Sequence, residues 1–397
     1  MRHGELAVRG FSCPQEGLDR SLLEFSVVEH ARQTMDLFIE RFGDQLQGVS
    51  NGLSAVLSDW LHRNESFETV WSQPFGEAYA AVTAGTEVDT VRCAADVAMR
   101  LHSRGHHGQW CLRLNKVVQL RFDKWLLPPS DAIEMVAEDK TVSITTCAGS
   151  RRRRIEFRQV ESTWFVNDLD ALPTVAGYGA RWNLLPAEAL PPGSPARALA
   201  TGSYEFDAVD GKPGPQSMLD TCGGALKLLA EFGSGYLGWV AQVIREIIPL
   251  PPSGDMTNSA SGNLAPGVIT ASNQGRRCVL AEMLVHESTH HYLYILKRLG
   301  PLEDGSDGAL YFSPFRNVGR PILYIIFAYH AFANVLLFYR TLRRQGLSAD
   351  EPGFYSDQRI HDLEESLRTL EGSLQSTTAL TSLGRALCEP LYERIRA

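Results

Sequence analysis

The spacing of hydrophobic positions predicts that both ends of the chain are helical. In 19–43, Leu22, Met35 and Ile39 belong to a set that recurs at three- and four-residue intervals, as in an amphipathic helix. Helical patterning continues with interruptions to about residue 125. It returns in four later segments, at 217–248, 277–299, 321–344 and 358–396. Gly300 and Pro301 form a helix stop after the second of these.

The middle of the chain has a different pattern. Between about 126 and 210, runs rich in β-branched and aromatic residues predict strands at 141–146, 154–160, 163–168 and 202–209. A further short apolar run, 267–272, precedes the helix at 277–299. We therefore expect an α+β fold that is predominantly helical. The expected division is a helical N-terminal region (1–125), a β-rich region (126–215) and a mainly helical catalytic region (216–397).

Composition narrows the functional classes. The chain has 397 residues, enough for a sizeable core, and a formal charge of −8, which argues against a nucleic-acid binder with a basic face. The seven cysteines are scattered and form no CxxC pair, so neither a disulfide framework nor a cysteine zinc knuckle is indicated. Because no apolar signal run stands at the N-terminus, a cytoplasmic location is expected.

One segment, 321–339, is long and uncharged enough to span a membrane. His330 and Asn334 lie at its middle, where polar groups would need protein partners. We therefore expect a helix buried inside the protein, and no membrane partner.

A motif with recognisable chemistry lies in the helix predicted at 277–299. His286 and His290 are four residues apart, so both imidazoles project from one helix face and can reach one metal ion. Glu287, between them, could act on a metal-bound water or orient a ligand. The alternative is a pair of histidines with a purely structural role.

The third ligand is an open question. The peptidase pattern HExxHxxGxxH fails, because positions 293 and 296 are Leu, and no acidic residue occurs from 308 to 349. His330 is the ionisable candidate ligand on the next helix. A polar side chain is costly in such an apolar helix, which favours a ligand over a core histidine with satisfied hydrogen bonds. Arg316 and Arg320, just before this helix, are suited to binding carboxylates or are solvated loop residues.

The segments VHESTHHYL and YFSPFRNVGRPILYIIFAYHAFANVLLFY, in this order, resemble the HExxH-motif family of ribosomal-peptide biosynthesis. The likeness covers about residues 267–345. Some members of that family are iron- and 2-oxoglutarate-dependent hydroxylases of side-chain β-carbons. The resemblance implies a metal site at His286 and His290, with His330 as the ligand from the following helix. Its loop signature is matched by Tyr311, Pro314, Arg316, Arg320 and Pro321, with Phe315 in place of a more usual Trp.

Three hypotheses follow. The leading one is an Fe(II)/2-oxoglutarate-dependent hydroxylase of a ribosomally made precursor peptide, with iron on His286, His290 and His330, and with Arg316, Arg320 and Tyr311 binding the cosubstrate. The second is a zinc metallopeptidase in which Glu287 is the general base. The third is a non-catalytic peptide-binding protein whose HESTH segment is structural.

Overall fold

The structure is a computed structural model. It describes residues 8–63, 65–83, 89–161, 163–167, 169–202, 215–251, 257–272 and 275–397.

Helices outweigh strands, at 52% against 21%, which confirms the predicted α+β, predominantly helical class. In the described residues we number the α-helices as follows: α1 Arg20–Val49, α2 Leu53–Leu61, α3 Phe67–Val70, α4 Gln73–Thr83, α5 Thr90–His102, α6 Pro195–Gly202, α7 Pro215–Glu231, α8 Tyr236–Val243, α9 Arg277–Leu299, α10 Ile322–Arg344, α11 Asp357–Ser376 and α12 Ser382–Arg396. Short 3-10 turns lie at Pro14–Glu16 and Ala187–Ala189.

The described strands, in chain order, are β1 Ser50–Asn51, β2 Gly108–Val118, β3 Arg121–Phe122, β4 Trp125–Leu126, β5 Ser130–Glu138, β6 Thr141–Ala148, β7 Arg151–Val160, β8 Thr163–Phe165, β9 Thr174–Gly177, β10 Ala180–Leu184, β11 Glu246–Leu250, β12 Ser259–Ser261, β13 Val268–Ser272, β14 Tyr311–Ser313 and β15 Val318–Arg320. They form a six-stranded sheet (β1-β2-β5-β6-β7-β8), a five-stranded sheet (β12-β13-β11-β10-β9) and the two hairpins β3–β4 and β14–β15.

The boundaries differ from the expected ones in several places. The helix predicted at 217–248 is divided into α7 and α8, and its last residues belong to strand β11. Apart from the two-residue strand β1, strand structure begins at Gly108, whereas the helical pattern was expected to extend to about 125. The predicted strand at 202–209 lies outside the described residues apart from Gly202, which ends α6. One hydrophobic core takes side chains from all three predicted regions, among them Phe38, Ile144 and Leu284.

The six-stranded sheet has one apolar and one polar face. Ile133 and Met135 of β5, and Ile144 of β6, point into the core. On the opposite face, Arg152 forms an ion pair with Glu134 across the sheet. This alternation is the normal pattern for an antiparallel sheet with one face in water.

The five-stranded sheet positions the HExxH helix. Its central strands β10, β11 and β13 are parallel, and every residue of β13 is buried. Strand β12 pairs antiparallel with β13, with Ser259 opposite Ala271 and Ser261 opposite Ile269. The chain passes from β13 towards α9, so the start of α9 lies near this edge of the sheet.

Helices α9 and α10 pack against each other in the core. Of the described helices, only α10 is long and apolar enough to cross a membrane, and 72% of its most apolar window is buried inside the protein. Its central polar groups have protein partners: His330 Nε2 and Asn334 Nδ2 both contact the carbonyl oxygen of Ser12. This burial supports the expectation of a core helix.

The N-terminal segment that reaches α10 is itself fixed in place. Ser12 Oγ donates to the carbonyl of Leu387 at 2.6 Å, and Trp239 Nε1 donates to the carbonyl of Gly10 at 3.4 Å. Phe11 is fully buried and packs edge-on against Tyr292. The backbone folds tightly here, because a Cβ at Gly10 would clash with the carbonyl oxygen of Gly17.

We therefore expect Gly10→Ala to destabilise the protein by about 1–3 kcal/mol, the usual cost of overpacking, as measured by chemical denaturation. Gly48→Ala is the matched control, since its Cβ would meet nothing within 4 Å and the site is in a helix. That control is expected to stabilise the protein by about 0.5–1 kcal/mol. Equal stability of the two variants would show that the N-terminal segment is not closely packed.

Candidate metal centre

The two motif histidines lie together on α9. The Nε2 atoms of His286 and His290 are 3.2 Å apart, and both side chains are half-buried. An i, i+4 spacing on a helix places the rings one above the other, as expected from the sequence. Two imidazole nitrogens bound to one ion at about 2.0–2.1 Å are about 2.9–3.4 Å apart for angles between octahedral and tetrahedral. The observed separation fits a shared metal ion.

The His290 ring has the protonation state that a ligand needs. Burial, followed by the charges of His286 and His330, holds the pKa of His290 well below its ordinary value. A neutral imidazole keeps a lone pair for a metal, whereas an imidazolium has none. His290 Nδ1 has no hydrogen-bond partner within the described part of the chain.

Glu287 points to the edge of the five-stranded sheet. Its Oε1 accepts a hydrogen bond from Ser259 Oγ, and its Oε2 accepts one from Ser261 Oγ, each at 2.6 Å. The two serines are alternate residues of β12, so their side chains lie on the same face of that strand. We call these three residues the serine–glutamate clamp.

The clamp leaves a buried charge without a counter-charge. Glu287 is only 2% exposed, and it forms no ion pair with any Lys, Arg or His that the structure describes. A buried carboxylate is costly unless a cation or several hydrogen bonds compensate it. Hydroxyl groups supply two of those hydrogen bonds, and a divalent cation on the neighbouring histidines would supply the positive charge. The residues present therefore fit a metal ion.

His330 is completely buried on α10. Its Nε2 lies 3.0 Å from the carbonyl oxygen of Phe11 and 2.9 Å from that of Ser12. Carbonyl oxygens only accept, so Nε2 carries the proton and Nδ1 keeps its lone pair. Burial lowers the pKa of His330 to about 4, against the raising effect of these carbonyl contacts. Metal-bound histidines often donate their other N–H to a backbone carbonyl in this way.

The structure does not gather His330 into one group with His286 and His290. No set of three His, Cys, Asp or Glu side chains among the described residues is close enough to hold a metal ion. Two aromatic side chains lie beside the pair: Phe332 is 5.1 Å from His286, and Phe327 is 5.7 Å from His290, measured between ring centroids. His330 as third ligand, through Nδ1, stays a prediction.

The arginine loop forms the β14–β15 hairpin beside this site. Phe315, in the turn, stacks on Phe332 at 3.6 Å between centroids, and Phe332 in turn contacts His286. Ser313 O accepts from the backbone N–H of Arg316 and of Asn317, whose φ of 53° suits an asparagine in a tight turn. The turn is therefore fixed next to the histidine pair.

The predicted cosubstrate residues are distributed along this hairpin. Arg316 is exposed, and Arg320 is half-buried with its guanidinium 4.2 Å from the centroid of the Tyr324 ring. Neither forms an ion pair with a carboxylate in the described ranges. Tyr311 lies opposite Arg320 in the hairpin, but its hydroxyl donates to Asp307 Oδ2 at 2.5 Å. The Tyr311 hydroxyl therefore already donates its hydrogen bond to Asp307, and not to a cosubstrate.

Sequence reasoning missed two features of the site. Ser259 and Ser261 lie in a stretch rich in Ser, Gly and Asn that has the composition of a loop, and the one available signal was their alternate spacing. The apolar wall formed by Phe327 and Phe332 follows from the packing of α10 on α9.

Neither the models of known protein families nor the characterised proteins include a match to this chain.

We expect His286→Ala and His290→Ala each to lower the affinity for Zn²⁺ or Co²⁺ strongly, because one imidazole of the pair is then lost. The measurement is metal titration against a chromophoric chelator. His361→Ala is the matched control, since His361 is 55% exposed and its one ion pair among the described residues is with Glu365 on α11. Unchanged affinity in both site variants would contradict the assignment.

The serine–glutamate clamp is expected to increase the affinity for the metal. Ser259→Ala and Ser261→Ala should each weaken metal binding by about 10–100-fold, the usual effect of removing a hydrogen-bond partner next to a metal site. Ser→Thr at either position keeps the hydroxyl and should retain most of the affinity. Ser26→Ala is the control, because this buried serine donates to the carbonyl of Ile295, far along α9. Equal affinities in the Ala and Thr variants would show that the clamp is only structural.

Proposed function

We propose that this protein is a metal-dependent peptide-modifying enzyme, and specifically an Fe(II)/2-oxoglutarate-dependent hydroxylase of a side chain in a ribosomally made precursor peptide. The observation that carries the proposal is the buried Glu287 carboxylate, which has no cationic partner in the described chain and lies next to two imidazole nitrogens 3.2 Å apart. A divalent metal ion satisfies both features.

The clamp supports an oxygenase over a peptidase. A general base of a zinc peptidase needs a carboxylate oxygen that can take a proton from water. In Glu287 each oxygen already accepts a short hydrogen bond from a serine, and the side chain is almost fully shielded from solvent. Glu287 is therefore better suited to stabilising a nearby cation than to exchanging protons.

The hairpin supports a dicarboxylate cosubstrate. Arg316 and Arg320 have no carboxylate partner in the described residues, although arginine is the residue best suited to binding a carboxylate by two parallel hydrogen bonds. Phe315, next to Arg316, is stacked on the aromatic wall of the histidine site. A cosubstrate bound at the histidines would thus bring its distal carboxylate towards unpaired cations.

The chain's own residues have distinct tasks in this reading. His286 and His290 would hold the iron, and His330 is the proposed third ligand. With dioxygen and 2-oxoglutarate, a bound iron would supply the oxidising chemistry that converts a substrate C–H to C–OH and 2-oxoglutarate to succinate and carbon dioxide. Phe327 and Phe332 exclude water from one side of the histidine pair.

One observation favours the zinc metallopeptidase as a second candidate. Strand β12 lies at the edge of its sheet, with no strand of the described chain on its outer side. Extended peptides bind to such edges by adding a strand, and Ser259 and Ser261 link this edge to Glu287. A peptide bound there would pass close to the histidine pair. The buried α10 is compatible with the cytoplasmic location proposed for either enzyme.

A candidate precursor peptide incubated with enzyme, iron, 2-oxoglutarate and air separates these functions by mass spectrometry. The proposal predicts a gain of one oxygen atom with equivalent succinate formation. A cleaved chain would select the peptidase. An unchanged peptide in the presence of both iron and zinc would leave only peptide binding.

The cosubstrate assignment has its own test. Arg316→Lys or Arg320→Lys keeps the charge but loses the paired hydrogen bonds, so 2-oxoglutarate should bind about 10- to 150-fold more weakly in one of them, from about 1.5–3 kcal/mol. The measurement is anaerobic titration of 2-oxoglutarate into the iron-loaded protein. Arg344→Lys, at an exposed position near the end of α10, is the control. Parental affinity in both hairpin variants would place the carboxylate elsewhere.

A further inference from the structure

We propose that the β14–β15 hairpin and the first turn of α10 form a docking surface for an extended, acidic and apolar segment of the peptide substrate. This inference rests on the proposed function only in taking the substrate to be a peptide. The hairpin surface, as we call it, consists of Leu310, Phe312, Arg316, Val318, Arg320 and Tyr324.

The apolar side chains of this surface are unusually exposed. Leu310 is 68% exposed, Val318 52%, Phe312 51% and Tyr324 47%. These four residues lie within fifteen positions of one another, and no other stretch of the described chain has as many exposed large hydrophobic residues. Single exposed hydrophobic residues are normal on a protein surface, but a local group of them marks an interaction site.

The pairing of β14 with β15 places the exposed apolar residues on both faces of the hairpin. Phe312 pairs with Gly319, and a Cβ at Gly319 would be 3.2 Å from Leu310 Cβ, so Leu310 and Phe312 share one face. Val318 and Arg320 alternate onto the other face. Arg320 stacks on Tyr324, which extends that face onto α10. An occupant can therefore contact apolar side chains on both sides of the hairpin.

The charge of the surface selects an acidic occupant, because the cosubstrate proposed above uses only one of its two arginines and leaves the other for the peptide. Arg316 and Arg320 lack carboxylate partners in the described chain, and the sequence contains no Asp or Glu from 308 to 349. The chain as a whole is acidic, with a formal charge of −8, so this cationic segment is a local exception. Charge complementarity of this kind contributes mainly to specificity and to the rate of association.

The backbone of β15 favours an extended conformation in the occupant. Strand β14 packs against α10 and α11, whereas β15 pairs with β14 alone among the described strands. The outer edge of β15 can therefore accept a third strand, since exposed strand edges bind extended chains through main-chain hydrogen bonds. Phe315 fixes this hairpin against Phe332 and thus beside His286.

The test uses a short fluorescein-labelled peptide in which glutamate alternates with leucine, valine and phenylalanine, and a second peptide in which lysine replaces glutamate. Fluorescence anisotropy is recorded with the purified full-length protein, with and without metal. We expect the acidic peptide to bind at least tenfold more tightly than the basic one, and its affinity to fall as salt is raised. The paired change Phe312→Ser and Val318→Ser is expected to weaken binding at least tenfold.

Phe165→Ser is the matched control, because Phe165 is 55% exposed on β8, in the six-stranded sheet. It should leave the affinity unchanged, and thermal melts should show all variants folded, since the positions are exposed. Equal binding of the two peptides, or equal loss in the control, would overturn the proposal. So would a hairpin variant that alters only self-association in sedimentation, because the occupant would then be a second copy of the chain.

The outcome is separable from that of the proposed function. Peptide binding without 2-oxoglutarate binding would retain the docking surface and reject the oxygenase. Binding of 2-oxoglutarate by a protein that does not bind the acidic peptide would support the oxygenase and reject the docking surface.

Discussion

The contact between Glu287 and the two serines of β12 connects the fold to the site. It joins an edge strand, which is held in register by β13, to the helix that carries both histidines. A carboxylate buried at this junction is tolerable only if its charge is compensated, and the hydroxyl groups do so only in part. On the function proposed above, a cation held by the imidazoles of His286 and His290 would complete this compensation.

A second set of contacts fixes His330 on α10. The N-terminal segment runs through the core and offers the carbonyls of Phe11 and Ser12 to His330. Because these carbonyls bind the proton on Nε2, the unprotonated nitrogen of His330 is Nδ1. Asn334, one turn further along α10, donates to the same Ser12 carbonyl. The polar centre of an otherwise apolar helix is thus satisfied by a segment more than three hundred residues away in sequence.

Local signals were enough to predict the helices that carry the site. Helix α9 has the predicted bounds, because its hydrophobic spacing is regular and Gly300 and Pro301 end it. The start of the β-region was predicted too late, since β2 depends on pairing with β5 and the tendency to form strands depends on such neighbours. Strand β12 could not be predicted, because its three small residues become a strand only at the edge that β13 provides. The pair His286 and His290 was evident from spacing alone, whereas the partners of Glu287 and His330 come from distant parts of the chain.

The hairpin and the histidine site differ in the way they are held, and this difference suits different tasks. The histidines stand on a long helix in the core, where close packing fixes side-chain positions to within a fraction of an ångström. The hairpin is anchored through Phe315, and its other large side chains are exposed. Chemistry at one bond requires the first arrangement, whereas recognition of a variable peptide tolerates the second. Since β15 leads directly into α10 through Pro321, a peptide held by the hairpin would lie against the same helix that carries Phe332 and His330. The hairpin surface and the proposed site are therefore close together along the chain. A peptide bound at the hairpin surface can be oriented at the site without a large conformational change.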